Sequence, residues 1–391
     1  MSASSIVYFD YNATTPLDPH VRDAMLPFLG EVYGNPSSVH QVGRRARALL
    51  DDARDRAAKV LGCKPSEVIF TSGGTESNNL ALFGMARLLR AKGRHIITSQ
   101  VEHHAVLHPC EYLENNEGFE ITRLPVDSNG FVSPDALVAA IRPDTVLVSI
   151  MAANNENGAI QPVAELGRIC RDRGIPFHTD AVQWFGKQPF ESIHQFNADL
   201  VSLCGHKFHG PKGAGALFIR SPLHPHPTLF GGGHEHERRA GTENLAAVMG
   251  LVEALERFVR QPVFAAHHLN PLIGRLRSLV GSLDGAILRS PSSLCLTNTV
   301  AFTVRGCDSA SLLAGLDLEG ICASSGSACS AGSLEPSHVM IALGVLREEA
   351  NTLIRFSLGR SSTLTEIHHV EGVLPSLIER VRRFQLPQSS L

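Results

Sequence analysis

Four reactive side chains in this sequence sit where apolar runs end or are interrupted: an amine, a carboxylate, a thiol and a guanidinium. The amine is Lys207, in Ser202-Leu-Cys-Gly-His-Lys-Phe-His-Gly-Pro-Lys-Gly213, with glycines at 205 and 210 and apolar runs on either side at 198–203 and 215–219. This pattern predicts a hairpin-like corner. Burial there lowers an amine's pKa, and a neutral amine can form an imine with an aldehyde. A glycine-rich hairpin whose lysine reaches out to water is the other reading of the stretch. The carboxylate is Asp180, at the end of the strand-like Ile175-Pro-Phe-His-Thr-Asp180, with Gln183 one turn on.

The thiol is Cys329, in Ser324-Ser-Gly-Ser-Ala-Cys329-Ser-Ala-Gly-Ser333. Small neighbours cannot bury it, so it is either an exposed nucleophile or an incidental surface thiol. The guanidinium is Arg355, which interrupts the apolar Leu353, Ile354 and Phe356. An arginine so placed faces a specific carboxylate or a domain boundary. Thr71-Ser-Gly-Gly-Thr-Glu-Ser-Asn-Asn79 links an apolar run at 68–70 to a helical pattern from Leu80. Gly74 and Thr75 there would offer backbone N–H groups at the positive end of a helix dipole, suited to phosphate or to an ordinary capped turn. Neither a dinucleotide fingerprint nor a Walker loop is present.

These groups need a scaffold, and the strand and helix patterns alternate from about residue 67 to 220, which predicts a mostly parallel α/β sheet. Its strand ends gather Thr75, His103, Asn155, Asp180, Gln183 and Lys207, and ligands bind at such ends in open α/β sheets. Residues 42–60 read as an amphipathic helix stopped by Gly62, with Ser37 and Ser38 as N-caps. Gly231-Gly-Gly233 through Asn244 reads as a loop that covers a site or reaches a neighbouring subunit. Short mixed elements in the final third predict a smaller α+β domain.

The totals narrow the class. The chain has 391 residues, 43% hydrophobic and 19% charged, with formal net charge -3 and no basic block, which argues against nucleic acid as a main partner. No apolar run reaches the roughly 18 residues of a membrane span, and residues 1–5 read as a polar tail, so a cytoplasmic location is expected. Eight cysteines without a C-x-x-C pair argue against a disulfide framework and a zinc ribbon. Nineteen histidines read as surface groups, pairs such as His104/His108 and His234/His236 lacking companions at metal-ligand spacing.

A lysine for an imine, an aspartate for a protonated pyridine nitrogen and a phosphate cradle are together the demands of pyridoxal phosphate. Ten motifs then carry a resemblance over essentially the whole chain. They are Asn12-Ala-Thr-Thr-Pro, Gly34-Asn-Pro-Ser-Ser, Thr71-Ser-Gly-Gly-Thr-Glu-Ser, Glu102-His, Ala153-Asn-Asn-Glu, His178-Thr-Asp-Ala-Val-Gln, Cys204-Gly-His-Lys, Arg239-Ala-Gly-Thr-Glu-Asn, Ser324-Ser-Gly-Ser-Ala-Cys and Ile354-Arg-Phe-Ser-Leu. In order, they resemble the cysteine desulfurases, class V aminotransferase-like enzymes of fold type I.

The resemblance implies a large pyridoxal phosphate domain at 16–260 with a seven-stranded, mostly parallel sheet. A small α+β domain would comprise 1–15 and 261–391 and carry the cysteine loop. It implies conversion of L-cysteine to L-alanine, with sulfur passing as a persulfide on Cys329 to iron–sulfur cluster assembly. Lys207 would hold the cofactor and move the α-proton, while His103 would stack on the ring and relay protons. Asp180 and Gln183 would bind the ring nitrogen and hydroxyl. Gly74, Thr75, Cys204 and His206 would complete the cofactor site, joined by Thr242 from the other subunit of a homodimer. Arg355, Asn155 and Asn35 would hold the substrate. No metal is implied in the resting enzyme, with Cys329 available to a transient iron–sulfur cluster.

Cys204, and a chain that stops soon after its last helix, resemble the nitrogen-fixation (NifS) type, with a NifU-like scaffold as sulfur acceptor. A housekeeping desulfurase and a selenocysteine lyase are the alternatives, and a scaffold without catalysis is a rival of another class. Ser330, His104 and Glu235-His-Glu237 depart from the family pattern.

Overall fold

The segment Thr145–Ser149 is buried at every position, as a strand covered on both faces requires. A computed structural model describes residues 6–326 and 335–385 and places this strand inside a seven-stranded sheet, between two parallel neighbours. In spatial order the strands are Val68–Thr71, Gly215–Ile219, Leu200–Cys204, Phe177–Asp180, Thr145–Ser149, His95–Ser99 and Glu120–Leu124. Gly215–Ile219 runs antiparallel to both neighbours, and the other pairs are parallel. The expected α/β class with a mostly parallel seven-stranded sheet is therefore borne out.

The predicted amphipathic helix is Gln41–Leu61, which buries Ala46, Leu50, Ala53, Ala57 and Leu61 on one face. Gly62, in the left-handed conformation at φ 72°, stops it. Its N-cap is His40, whose Nδ1 accepts from Gly43 N at 3.2 Å, and not Ser37 or Ser38. Those two serines belong to a turn led by Asn35, which accepts both their N–H groups through its side chain and carbonyl. The helix after Thr71 also starts earlier than its apolar pattern, at Gly74 and not Leu80.

A second apolar core joins Phe9 and Tyr11 to Phe264, Leu276, Phe302, Leu316, Phe356 and Leu374. It surrounds a three-stranded antiparallel sheet of Ile354–Ser357, Thr299–Val304 and Ala286–Leu288. Val7–Tyr8 pairs in parallel with Ile321–Cys322. Tyr11 N donates to Ser357 O, and Ser357 N to Phe9 O, so the chain passes through this region before entering the larger sheet.

The expectation of surface histidines fails at His95, His178 and His209, which are buried. Hydroxyls make burial tolerable for two of them: His95 pairs with Thr145 and Thr122, His178 with Ser149 and Ser202.

Candidate active site

Lys207 ends the short 3-10 turn Gly205–Lys207 inside the hairpin between Leu200–Cys204 and Gly215–Ile219. The turn closes only with glycines, since a Cβ on Gly210 would fall 2.9 Å from Gly205 Cα. The amine enters an open cleft of about 850 Å³ that also touches Asp180 and Cys204, each the last residue of its strand. Its Nζ donates to the carbonyls of Asn12 and Ala13, both at 2.7 Å. Burial holds the amine below its ordinary pKa, and the Arg355 charge pushes the same way.

Asp180 is 5% exposed, and both its oxygens are fixed. Oδ1 accepts from Val182 N at 2.9 Å and Oδ2 from Asn78 Nδ2 at 2.6 Å. Asn78 stands on the helix Gly74–Leu89, whose N-terminus opens on the cleft through Gly74 and Thr75. Gly74 is needed for close approach, because a Cβ there would lie 2.7 Å from Val182 Cγ2.

His103 caps the helix His104–Glu117, its Nδ1 accepting from Ala105 N at 3.0 Å. That hydrogen bond assigns the ring proton to Nε2 and opposes protonation at Nδ1. Burial lowers the His103 pKa, in the same sense. His206 contacts Thr14 Oγ1 at 3.1 Å through Nδ1, and burial, with Lys207 nearby, pushes it down to about 4. Gln183 Nε2 donates to Asn12 O at 3.0 Å.

Arg355 is 1% exposed on the strand Ile354–Ser357 and lines the cleft. Its Nη1 donates to Asn155 O at 2.8 Å and Gly326 O at 2.7 Å, and its Nη2 to Asp10 Oδ1 at 2.6 Å. The carboxylate expected opposite this arginine is thus Asp10. Asn155 also lines the cleft. Asn35 and Thr242 are exposed and do not line the cleft of this chain. Cys329 and Ser330 lie outside the described residues.

Sequence reasoning missed Asn12 as a hub, along with Asn78 and Lys187. Asn12 is 1% exposed and takes or gives hydrogen bonds with Asn155, Gln183, Lys187, Lys207, Asn298 and Thr299. Its place in the motif Asn12-Ala-Thr-Thr-Pro was the available signal.

Residues 7–370 match the family described as Aminotransferase class-V. The chain is 48% identical, over 96% of its length and 95% of the relative's, to "Cysteine desulfurase IscS" of Dictyoglomus turgidum. Among solved structures it is similar to a NifS-like protein, at TM-score 0.86 and 38% identity, covering 97% of this chain and 99% of that one. It is also similar to SspA in complex with cysteine, at TM-score 0.80 and 35% identity, covering 91% of this chain and 100% of that one. The chain belongs to the class-V aminotransferases of fold type I and, within them, to the cysteine desulfurase family.

The cofactor of this family is pyridoxal phosphate, and the cleft fits it. A lysine of lowered pKa faces the cleft, a fixed carboxylate lines it, and a helix N-terminus opens on it. Asn78 Oδ1, buried at the cleft, has no hydrogen-bond partner among the described residues.

Proposed function

We propose that the chain converts L-cysteine to L-alanine and carries the released sulfur as a persulfide on Cys329. The observation that supports this most directly is Lys207, its pKa lowered, in one cleft with Asp180 and Arg355. Cys329 lies three residues beyond Gly326, which lines that cleft.

Pyridoxal phosphate, held by Lys207, Asp180, Gln183, Gly74, Thr75, Cys204 and His206, would supply an electron sink for charge developing on the substrate. Arg355, beside Asn155, would take the substrate carboxylate by its planar fork. Lys207 would remove the α-proton, its lowered pKa leaving a lone pair for that work. The Cys329 thiolate would attack the substrate sulfur, forming an S–S bond as the Cβ–S bond breaks. The electron pair goes to the β-carbon, which takes a proton, and Lys207 returns one to the α-carbon to give alanine. His103, with its proton on Nε2, is arranged to give one.

Sulfur would pass to an iron–sulfur scaffold protein. Cys204 supports the nitrogen-fixation role, with a NifU-like acceptor. The curated relative's name, IscS, favours the second reading, housekeeping iron–sulfur supply. The exposure of Thr242 supports a homodimer in which each copy completes the other's site. The apolar core around Phe302 and Phe356, which joins residues 7–11 to residues beyond 263, supports domains at 16–260 and at 1–15 with 261–391. No helix among the described residues is long and apolar enough to cross a membrane, in keeping with a proposed cytoplasmic location.

The test is Cys329→Ala. It should keep the visible absorbance of lysine-bound cofactor and lose alanine and sulfide production from cysteine. Normal turnover by that variant would sink the persulfide route, and a wild-type chain with no cofactor band would sink the whole reading.

A further inference from the structure

Lys187 stands directly behind the cleft and is 2% exposed. Its Nζ donates to Asn12 Oδ1 at 2.6 Å and to Gln183 Oε1, and lies 5.2 Å from the centroid of the Phe264 ring. Its partners are therefore two neutral amides and a ring face, not a carboxylate. Burying an amine without a counter-charge is costly, and burial here holds its pKa well below the ordinary value.

The geometry of the two amides explains what the amine does. Charged or neutral, Nζ has at least two hydrogens to give, and it gives them to Asn12 Oδ1 and Gln183 Oε1, so both carboxamides turn oxygen, not nitrogen, toward it. Asn12 has no freedom to do otherwise. Its Oδ1 also accepts from Asn298 Nδ2 at 3.0 Å, and its Nδ2 donates to Asn155 O at 3.2 Å and Thr299 Oγ1 at 2.9 Å. Asn12 thus anchors Lys187, and Lys187 in turn sets Gln183.

With Oε1 committed to Lys187, Gln183 Nε2 points the opposite way. One of its hydrogens goes to Asn12 O at 3.0 Å, and the other remains for the cleft that Gln183 lines. Without Lys187 only the bond to Asn12 O would hold this orientation, and because the two ends of a carboxamide are nearly equal in size the group could then turn over and show the cleft an acceptor. A ligand oxygen carrying negative charge would then meet repulsion where it now meets an N–H.

We propose that Lys187 is a positioning residue that commits the Gln183 amide to present N–H, and not C=O, to pyridoxal phosphate. This rests on the cofactor reading of the cleft. Lys187 touches neither cofactor nor substrate; Asn12, which also accepts from Lys207 Nζ, keeps its bonds with Asn298, Asn155 and Thr299 without it, so the effect of the lysine passes through Gln183.

The test is a double-mutant cycle read as cofactor affinity, titrating apo chain with pyridoxal phosphate and following its visible absorbance. Lys187→Met keeps most of the apolar stem of the side chain and removes its donors. It should weaken binding about tenfold, the worth of one hydrogen bond. Gln183→Leu should weaken binding to a similar degree. The double variant should bind no more weakly than Gln183→Leu alone, because the lysine has no other route to the cofactor. Urea unfolding of each apo chain checks that it is folded. Should Lys187→Met not fold, Lys187→Gln, whose shorter amide falls short of Gln183, takes its place in the same cycle.

Losses that multiply to about a hundredfold in the double variant would overturn the role given to Lys187. So would a single variant that binds like wild type. A wild-type chain that binds no pyridoxal phosphate would instead overturn the cofactor reading beneath it.

Discussion

Nη2 of Arg355 lies 2.6 Å from Oδ1 of Asp10, although the two residues stand at opposite ends of the chain. The guanidinium is also held by the carbonyls of Asn155 and Gly326, while its Nε has no partner among the described residues. The substrate carboxylate proposed for this residue would meet a guanidinium already fixed on two sides at the cleft wall. Arg355→Lys keeps the charge and loses the fork. It should raise KM for cysteine by about tenfold or more, the worth of a charge-assisted hydrogen bond, and leave affinity for pyridoxal phosphate nearly unchanged. Steady-state alanine formation measures the first and cofactor titration the second. An unchanged KM would remove Arg355 from substrate binding.

His103 caps a helix, and one substitution can separate that from the proton relay proposed for it. Its Nδ1 caps the helix His104–Glu117 by accepting from Ala105 N. Asparagine is a good N-cap but has no ring and no proton to relay at neutral pH. His103→Asn should therefore keep stability to within about 0.5 kcal/mol in urea unfolding. It should lower kcat for alanine formation by about a hundredfold or more, the usual worth of a positioned acid or base. His103→Ala should lose the same activity and about 1 kcal/mol of stability as well. A kcat in His103→Asn near the wild-type value would confine the residue to capping.

Glu102 makes a pH dependence that can be read from stability. It is 0% exposed, and burial raises its carboxyl from 4.5 to about 8, although Oε1 accepts from Ser99 Oγ and Met151 N. Its Oε2 has no partner among the described residues. The folded-state pKa is raised, so between the two values the native chain holds a proton that the unfolded chain releases. That stabilisation is complete below about pH 4.5 and is lost as pH rises toward about 8. A single group of this kind gives a slope approaching ~1.4 kcal/mol per pH unit. Glu102→Gln is neutral throughout and should flatten this part of the stability profile, measured by urea unfolding from pH 5 to about pH 8. Identical profiles for wild type and variant would show that Glu102 stays ionised.

What the sequence made legible follows from how far each feature depends on distant contacts. The parallel sheet could be read because its strands are continuous apolar runs such as Thr145–Ser149, and Lys207, Asp180 and Gly74 stand at or just beyond strand ends, where local pattern determines position. Lys187 could not be read. It follows Gln183 by four residues and looks like any surface lysine until Asn12, from another part of the chain, closes over it. The helix start at Gly74 was hidden for a different reason. Glycine and threonine are poor helix formers, and the apolar face begins only at Leu80, so the first turn carries no periodic signal. His40 took the N-cap from the serines because Asn35 had already engaged them in its own turn.

Arg54 and Glu235 couple the glycine-rich loop to the strand that leads into the Gly74 turn. The pair is bidentate at 2.7 and 2.6 Å and almost fully buried, and Glu235 Oε2 also accepts from Phe70 N at 2.8 Å. Glu235, His236 and Glu237 all have left-handed backbones, at φ 49°, 56° and 64°, a run that non-glycine residues adopt only under tertiary constraint. The ion pair supplies that constraint. Arg54→Met leaves Glu235 buried without its counter-charge and should cost about 3–5 kcal/mol in urea unfolding. Adding Glu235→Gln removes the stranded charge while keeping an oxygen for Phe70 N, and should recover a large part of the loss. Glu237→Gly should act in the opposite direction, since glycine adopts this conformation freely, with a gain of up to about 1 kcal/mol. A loss below about 1 kcal/mol in Arg54→Met would mean that the left-handed turn is held by something other than this pair.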